Sequence, residues 1–140
     1  MKIFFDTNVY VAEALLGGAA ITMLGVTERA GWRIFCSDYV LDELVRVLAE
    51  YRQFPMRFAT RSRRHVLRRS HLIDTPSSRH QVPDDPNDSP ILVAALAANV
   101  DYLVTNDPHL LTLDPYEGMR IISMAAYYDF LIAEGLIRRI

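Results

Sequence analysis

The sequence predicts an α/β fold in which helices cover both faces of a central, mostly parallel sheet of four or five strands. Short apolar runs alternate with stretches of helical periodicity along the whole chain. The clearest of those runs also end beside an acid, which fits parallel strands whose carboxyl ends face one functional edge. At 140 residues the chain is read as one domain, with no internal repeat or linker to divide it.

The elements follow in order. KIFF (Lys2–Phe5) reads as a buried strand ending at Asp6. Asn8–Leu16 and Ala19–Ala30 read as helices parted by Gly17-Gly18. RIFC (Arg33–Cys36) is a second strand, and Ser37 is placed to cap a helix running from Asp38 to Tyr51. The arginine-rich RFATRSRRHVLRR falls on two helices, or on one broken near Phe54-Pro55. HLID (His71–Asp74) is a short strand or the end of that region. The turn-rich TPSSRHQVPDDPND leads to a helix over Ser89–Asn99, for which Asp88 is a natural cap and Pro90 is tolerable in the first turn. DYLVT (Asp101–Thr105) is a strand with Asp107 just beyond it, heading the turn DPHLL. RIIS (Arg120–Ser123) is the last strand, and SMAAYYDFLIAEG closes the chain as a helix.

Composition narrows the function classes. Hydrophobic residues make up 51% and charged residues 23%, as in a water-soluble globular domain. One cysteine, Cys36, excludes an internal disulfide framework, and four scattered histidines show no zinc-ligand spacing. MKIFFDTNVY reaches an acid at position 6 and does not read as a signal peptide, and no apolar stretch is long enough to span a membrane. A cytoplasmic protein is expected. Net charge is only −2, but nine arginines lie between Arg46 and His80 against Glu50 and Asp74. From Gln81 to Ile137 nine acids stand against Arg120 alone. That asymmetry points to a basic arm for a polyanion beside an acidic centre.

The acidic centre can be assembled from strand ends. Asp6 follows the first strand, Asp107 follows DYLVT, and Asp88 stands ahead of a helix that opens on the same edge. Val40, Leu41, Leu44, Val47, Leu48 and Tyr51 share one face of the helix after Ser37. Glu43 borders that face and can reach the edge, whereas Asp42 points to solvent. Carboxylates gathered in one cleft repel unless a cation neutralises them, and hard Mg²⁺ or Mn²⁺ prefer such oxygens. Such sites clamp phosphate oxygens for phosphodiester hydrolysis, with nearby arginines holding the nucleic-acid backbone. Arg61, Arg63, Arg64, Arg68 and Arg69 are the expected backbone contacts.

Taken singly, each acid has an ordinary explanation: a cap at Asp88, a turn at Asp6 or Asp107, an amphipathic-helix border at Glu43. Asp84, Asp101 and Asp114 read as loop or strand-edge acids, Cys36 as core, and His65, His71, His80 and His109 as surface. Tyr127, Tyr128 and Phe130 read as packing for the last helix.

Four segments carry a family resemblance: KIFFDTNVYV, CSDYVLDELVRVL, DPNDSPILVAALAANVDYLVTNDPHLL and RIISMAAYYDFL. The chain resembles the PIN-domain ribonucleases, in particular the small VapC-type toxins and their relatives. DTN after the first strand, joined to DPND and a later TND, is specific as a combination. Only about residues 52–80 lack a matching pattern.

The resemblance implies a PIN-like three-layer α/β/α sandwich. It makes Asp6, Glu43, Asp88 and Asp107 both the catalytic and the metal-binding acids, holding Mg²⁺ or Mn²⁺. Asn8, Thr105, Asp85 and Ser89 become supporting residues; Ser89 departs from the asparagine often found there. The implied activity is endonucleolytic cleavage of single-stranded RNA, leaving 5′-phosphate and 3′-hydroxyl ends. The implied partners are single-stranded or structured RNA, a cognate antitoxin that holds the toxin, and a second copy in a homodimer. RNA processing outside such a pair, or RNA or partner binding without cleavage, are the alternatives the family allows. A phosphoaspartyl phosphatase or a phospho-receiver domain is disfavoured: Asn8 occupies the phosphatase's second aspartate position, and Lys2 is the only lysine.

Overall fold

The computed structural model describes residues 1–74 and 89–138. Five parallel strands form one sheet: β1 (Lys2–Phe5), β2 (Arg33–Ser37), β3 (His71–Ile73), β4 (Tyr102–Val104) and β5 (Arg120–Ile122), in the order β3-β2-β1-β4-β5. Seven α-helices are present among the described residues: α1 (Thr7–Leu15), α2 (Gly18–Arg29), α3 (Asp38–Arg46), α4 (Met56–Arg68), α5 (Pro90–Ala97), α6 (Pro108–Leu111) and α7 (Met124–Ala133).

β1 lies at the centre, with Phe4 level with Phe35 of β2 and with Leu103 of β4. Successive strand residues point to opposite faces, yet Ile3, Phe4 and Phe5 are all fully buried. Both faces of the sheet are therefore covered, the arrangement parallel strands require. From β1 the chain steps outward to β2 and β3, whereas β4 returns to the other side of β1 and β5 lies beyond it. The strand order thus reverses between β1 and β4, where open α/β sheets form a crevice beyond their carboxyl ends.

That edge is also where helices begin. Asp6 caps α1, Ser37 caps α3, Asp107 caps α6 and Ser123 caps α7, each accepting a backbone N–H with its side chain. Under the sheet edge Tyr127 packs edge-on against Phe5, and its hydroxyl shares a 2.6 Å hydrogen bond with Thr27. Cys36 is core, and burial pushes its thiol up to about 12, leaving it un-ionised and inert at neutral pH. Tyr127 is buried, with Tyr128 and Phe130 packed partly against the core.

Three local features differ from the sequence reading. The helix after Ser37 does not run evenly to Tyr51, because α3 passes into a π-helical turn at Val47–Tyr51. The wider turn rotates its last residue off the apolar face, so Tyr51 is 71% exposed rather than core-facing. The arginine-rich segment, by contrast, follows the second of the two alternatives read for it: one helix, α4, starting directly after a break at Pro55. DPHLL is a short helix rather than a simple turn. The cap of α5 is Ser89, whose hydroxyl accepts the Ile91 N–H at 3.2 Å, so the capping role read for Asp88 falls one residue later. No single helix among the described residues is long and apolar enough to cross a membrane.

Candidate active site

At the crevice between β1 and β4 a cavity of about 510 Å³ opens over the strand ends. Asp6, Glu43 and Asp107 line it together with Thr7, Asn8, Tyr39 and Ser89. Three segments far apart in sequence therefore bring their carboxylates to one hollow: the start of α1, the inner border of α3 and the start of α6. Asp85 and Asp88 lie outside the described residues. Among the described residues no three acidic, imidazole or thiol groups stand close enough together to hold one ion.

Asp6 is 6% exposed and tightly held. Its Oδ1 accepts the Thr7 N–H at 2.6 Å, and its Oδ2 accepts the Thr105 hydroxyl at 2.6 Å. Burial pushes the carboxyl above its ordinary range; those two hydrogen bonds pull it back, while Glu43 and Asp107 push it further up. Repulsion from Glu43 and Asp107 across the cavity is thus felt at Asp6. It is the electrostatic condition a cation would relieve.

Asp107 caps α6 by accepting the His109 N–H at 2.9 Å through Oδ1, and its own N–H donates to Thr105 Oγ1 at 3.0 Å. Thr105 is fully buried, and its single hydroxyl joins the first and last acids. Glu43 sits half-buried on α3, while its neighbour Asp42 is exposed. The Tyr39 hydroxyl donates to Glu43 Oε2 at 3.1 Å, and Arg46 approaches the same oxygen at 3.5 Å. Burial and the nearby Glu43 raise the Tyr39 phenol, which keeps it a donor.

Asn8 is exposed at the cavity wall and makes no hydrogen bond to the acids among the described residues; orientation of Asp6 falls to Thr105 and the Thr7 backbone. Two residues of this site were missed in the sequence. Thr7 is buried beside Asp6, and its Oγ1 has no partner. Tyr39 lies one helical turn before Glu43, a spacing that marks it as a neighbour only once Glu43 is in view. Asn106, the middle residue of TND, accepts the Met124 N–H at 3.0 Å and ties this edge to α7.

The basic arm divides in two. Arg61, Arg64 and Arg68 are exposed on α4, and with Arg57 they fall within about 60° of arc on one face. Arg63 is off that stripe and half-buried. Arg69 corrects the sequence reading. Its side chain is 5% exposed and pairs through both terminal nitrogens with Glu13 of α1, one contact being 2.8 Å, so it does not belong to a phosphate-facing surface. The physical reason is its angle, roughly 100° from the stripe, which turns it onto the α1 side where a buried acid waits.

The donor set is suited to a hard divalent cation. The candidate ligands among the described residues are all oxygens, Glu43 and Asp107 push up the Asp6 carboxyl, and an unpartnered hydroxyl lies in the wall.

The fold is similar to a chain in the crystal structure of VapBC2 from Rickettsia felis bound to a DNA fragment from their promoter. The TM-score is 0.64 at 18% identity, covering 88% of this chain and 98% of that one. It is also similar to PAE2754 from Pyrobaculum aerophilum, with a TM-score of 0.63 at 18% identity over 95% of this chain and 90% of that one. No curated protein sequence matches the chain significantly. The PIN domain family profile matches residues 2–109, from the first strand through Asp107 to His109, and the chain belongs to the PIN domain family.

Proposed function

We propose that the chain is a divalent-metal-dependent endoribonuclease acting on single-stranded RNA, and the toxin of a type II toxin–antitoxin pair. The observation that carries the nuclease reading is the convergence of Asp6, Glu43 and Asp107 on one cavity at the carboxyl edge of the sheet. Family membership supports it, since the matched residues include all three. The likeness of fold to a chain of the VapBC2 structure supports the toxin–antitoxin reading, with a cognate antitoxin as partner. A homodimer as the working form is part of the proposal and rests on the family resemblance alone.

Mg²⁺ or Mn²⁺ bound among these acids supplies positive charge for the scissile phosphate and lowers the pKa of water at the site. The chain's own residues prepare that chemistry. Asp6, Glu43, Asp107 and, as the fourth acid, Asp88 provide the oxygen donors; Asp88 is joined directly to Ser89 on the cavity wall. Thr105 and the Thr7 N–H fix the Asp6 carboxylate so that little reorganisation is needed. Tyr39 restrains Glu43, and Arg46 partly neutralises it. The arginine face of α4 draws in the RNA backbone. Asp85 is assigned to shaping the loop before Ser89.

The experiment is cleavage of labelled single-stranded RNA in Mg²⁺ or Mn²⁺, compared with EDTA and with Asp6→Asn. Cleavage that needs both the metal and Asp6, leaving 5′-phosphate ends, is the expected result. Absence of metal-dependent cleavage over varied RNAs, together with no Mn²⁺ binding by calorimetry, ends the nuclease reading.

A further inference from the structure

A second hollow, of about 460 Å³, continues from the acidic cavity: Asn8 and Val11 line both. From there its α1 wall runs to Leu15 and Leu16, at the spacing that puts side chains on one helix face. Eight residues of helix give that wall a length of about 12 Å. The opposite wall is the turn after the π-helical segment, contributing Arg52 and Phe54. Gln53 holds this turn at φ 58. Phe54 is braced by Phe58, ring centroids 5.0 Å apart.

Three features limit what fits. The walls are apolar yet open, with Leu16 82% exposed. Arg52 is the one charged residue lining the hollow among the described residues. Exposed Arg46 and Arg57 flank the same stretch of chain, against exposed Glu50. The arginine face of α4 continues from Arg57. An apolar slot with a cation at its side, opening at one end onto a phosphodiester-cleaving centre, has the chemistry of a nucleobase site: a π-face to cover and a phosphate to neutralise. A duplex keeps its base faces stacked inside and cannot use it.

We propose that this hollow is a subsite for an unpaired nucleobase beside the scissile phosphate, with Phe54 and the Leu15–Leu16 wall as the stacking surface and Arg52 on the adjoining phosphate. The proposal rests on the nuclease reading and deepens it, because it makes the groove, rather than the acids, the selector of single-stranded substrate.

The test separates binding from cleavage. Fluorescence anisotropy in EDTA measures the affinity of labelled eight-nucleotide single strands, each with one abasic position, for the wild-type chain, Phe54→Ala, Phe54→Trp and Arg52→Gln. Removing the base at one or two adjacent positions is expected to weaken wild-type binding by about 5- to 150-fold. Phe54→Ala should weaken intact RNA similarly and lose no more with those abasic strands, while Phe54→Trp retains the base dependence. Arg52→Gln should lower the salt slope by about 0.7.

No binding of any single strand overturns the subsite. So does binding indifferent to base removal, or an abasic penalty equally large in Phe54→Ala. Unchanged RNA affinity with altered sedimentation in Phe54→Ala also overturns it, assigning the hollow to a second copy of the chain. Cleavage without base dependence ends the subsite and leaves the nuclease standing; base-dependent binding without metal-dependent cleavage does the reverse.

Discussion

Thr105 links Asp6 to Asp107 through one hydroxyl, donating to Asp6 Oδ2 at 2.6 Å and accepting the Asp107 N–H at 3.0 Å. The proton can lie on only one side, and the backbone N–H occupies the acceptor side. Thr105 therefore presents a donor to Asp6 and favours its ionised form.

Thr105→Val removes that donor at nearly constant volume. The hydrogen bond lowers the Asp6 carboxyl, so its loss lets burial and the neighbouring acids push it further up. The acid limb of the rate–pH profile should move to higher pH. Cleavage at neutral pH should fall by about 10- to 100-fold, the usual loss when a group orienting a ligand is removed. Thr105→Ser should keep most of the activity. A Val variant with an unmoved acid limb would remove Thr105 from the machinery.

Asp6 also predicts a conflict between stability and function. Its folded carboxyl lies above the unfolded value of 3.8, so the native state holds the proton more tightly than the unfolded chain does. Stability from this group accordingly falls as pH rises from about 3.8 through the folded pKa, then stays low at neutrality. Asp6→Asn removes the buried charge while retaining a side-chain oxygen to cap α1. Its Tm at pH 7 should exceed that of the wild type without metal, the gap should close in acid, and cleavage should be lost. Mg²⁺ should raise the wild-type Tm more than the variant's. Thermal melts at pH 4 and pH 7, with and without metal, check each part.

The same residues show what a sequence can carry. β1, β2 and β4 were legible because buried parallel strands are continuous apolar runs, and KIFF and DYLVT each end beside an acid. Glu43 could be separated from Asp42 by helical angle alone, and their burial differs in that sense. Angle reasoning failed at Tyr51, where the π-helical turn changes the angle per residue. Arg69 was misread for another reason: no angle was weighed there, and nothing local announces an acid lying 56 residues earlier in the chain. The Thr105 bridge was beyond reach for a similar reason: it joins two strand ends 99 residues apart and depends on their register.

The exposed arginine face makes a separable prediction. Replacing Arg57, Arg61, Arg64 and Arg68 with glutamine should weaken RNA binding and reduce the dependence of log affinity on log salt by about 3, near 0.7 for each lost phosphate contact on a single strand. All four are exposed, so melting should change little. An unchanged salt slope would make this face ordinary solvated surface.

Arg69 should behave in the opposite way. Its pair with Glu13 is buried, its guanidinium lies over the Tyr10 ring at 5.8 Å, and His65 Nε2 stands 3.0 Å from its Nη1. Arg69→Met leaves the Glu13 charge without its partner, which should cost about 3–5 kcal/mol in urea unfolding. Removing both charges, in Glu13→Leu with Arg69→Met, should recover most of that loss, because desolvating two ions offsets much of their attraction. The unpartnered Arg69 Nε makes that recovery more favourable, since the substitution also removes a buried donor that the native packing leaves unsatisfied. The double variant should keep the wild-type salt slope for RNA. A stable Arg69→Met with a reduced salt slope would return Arg69 to the RNA-binding surface.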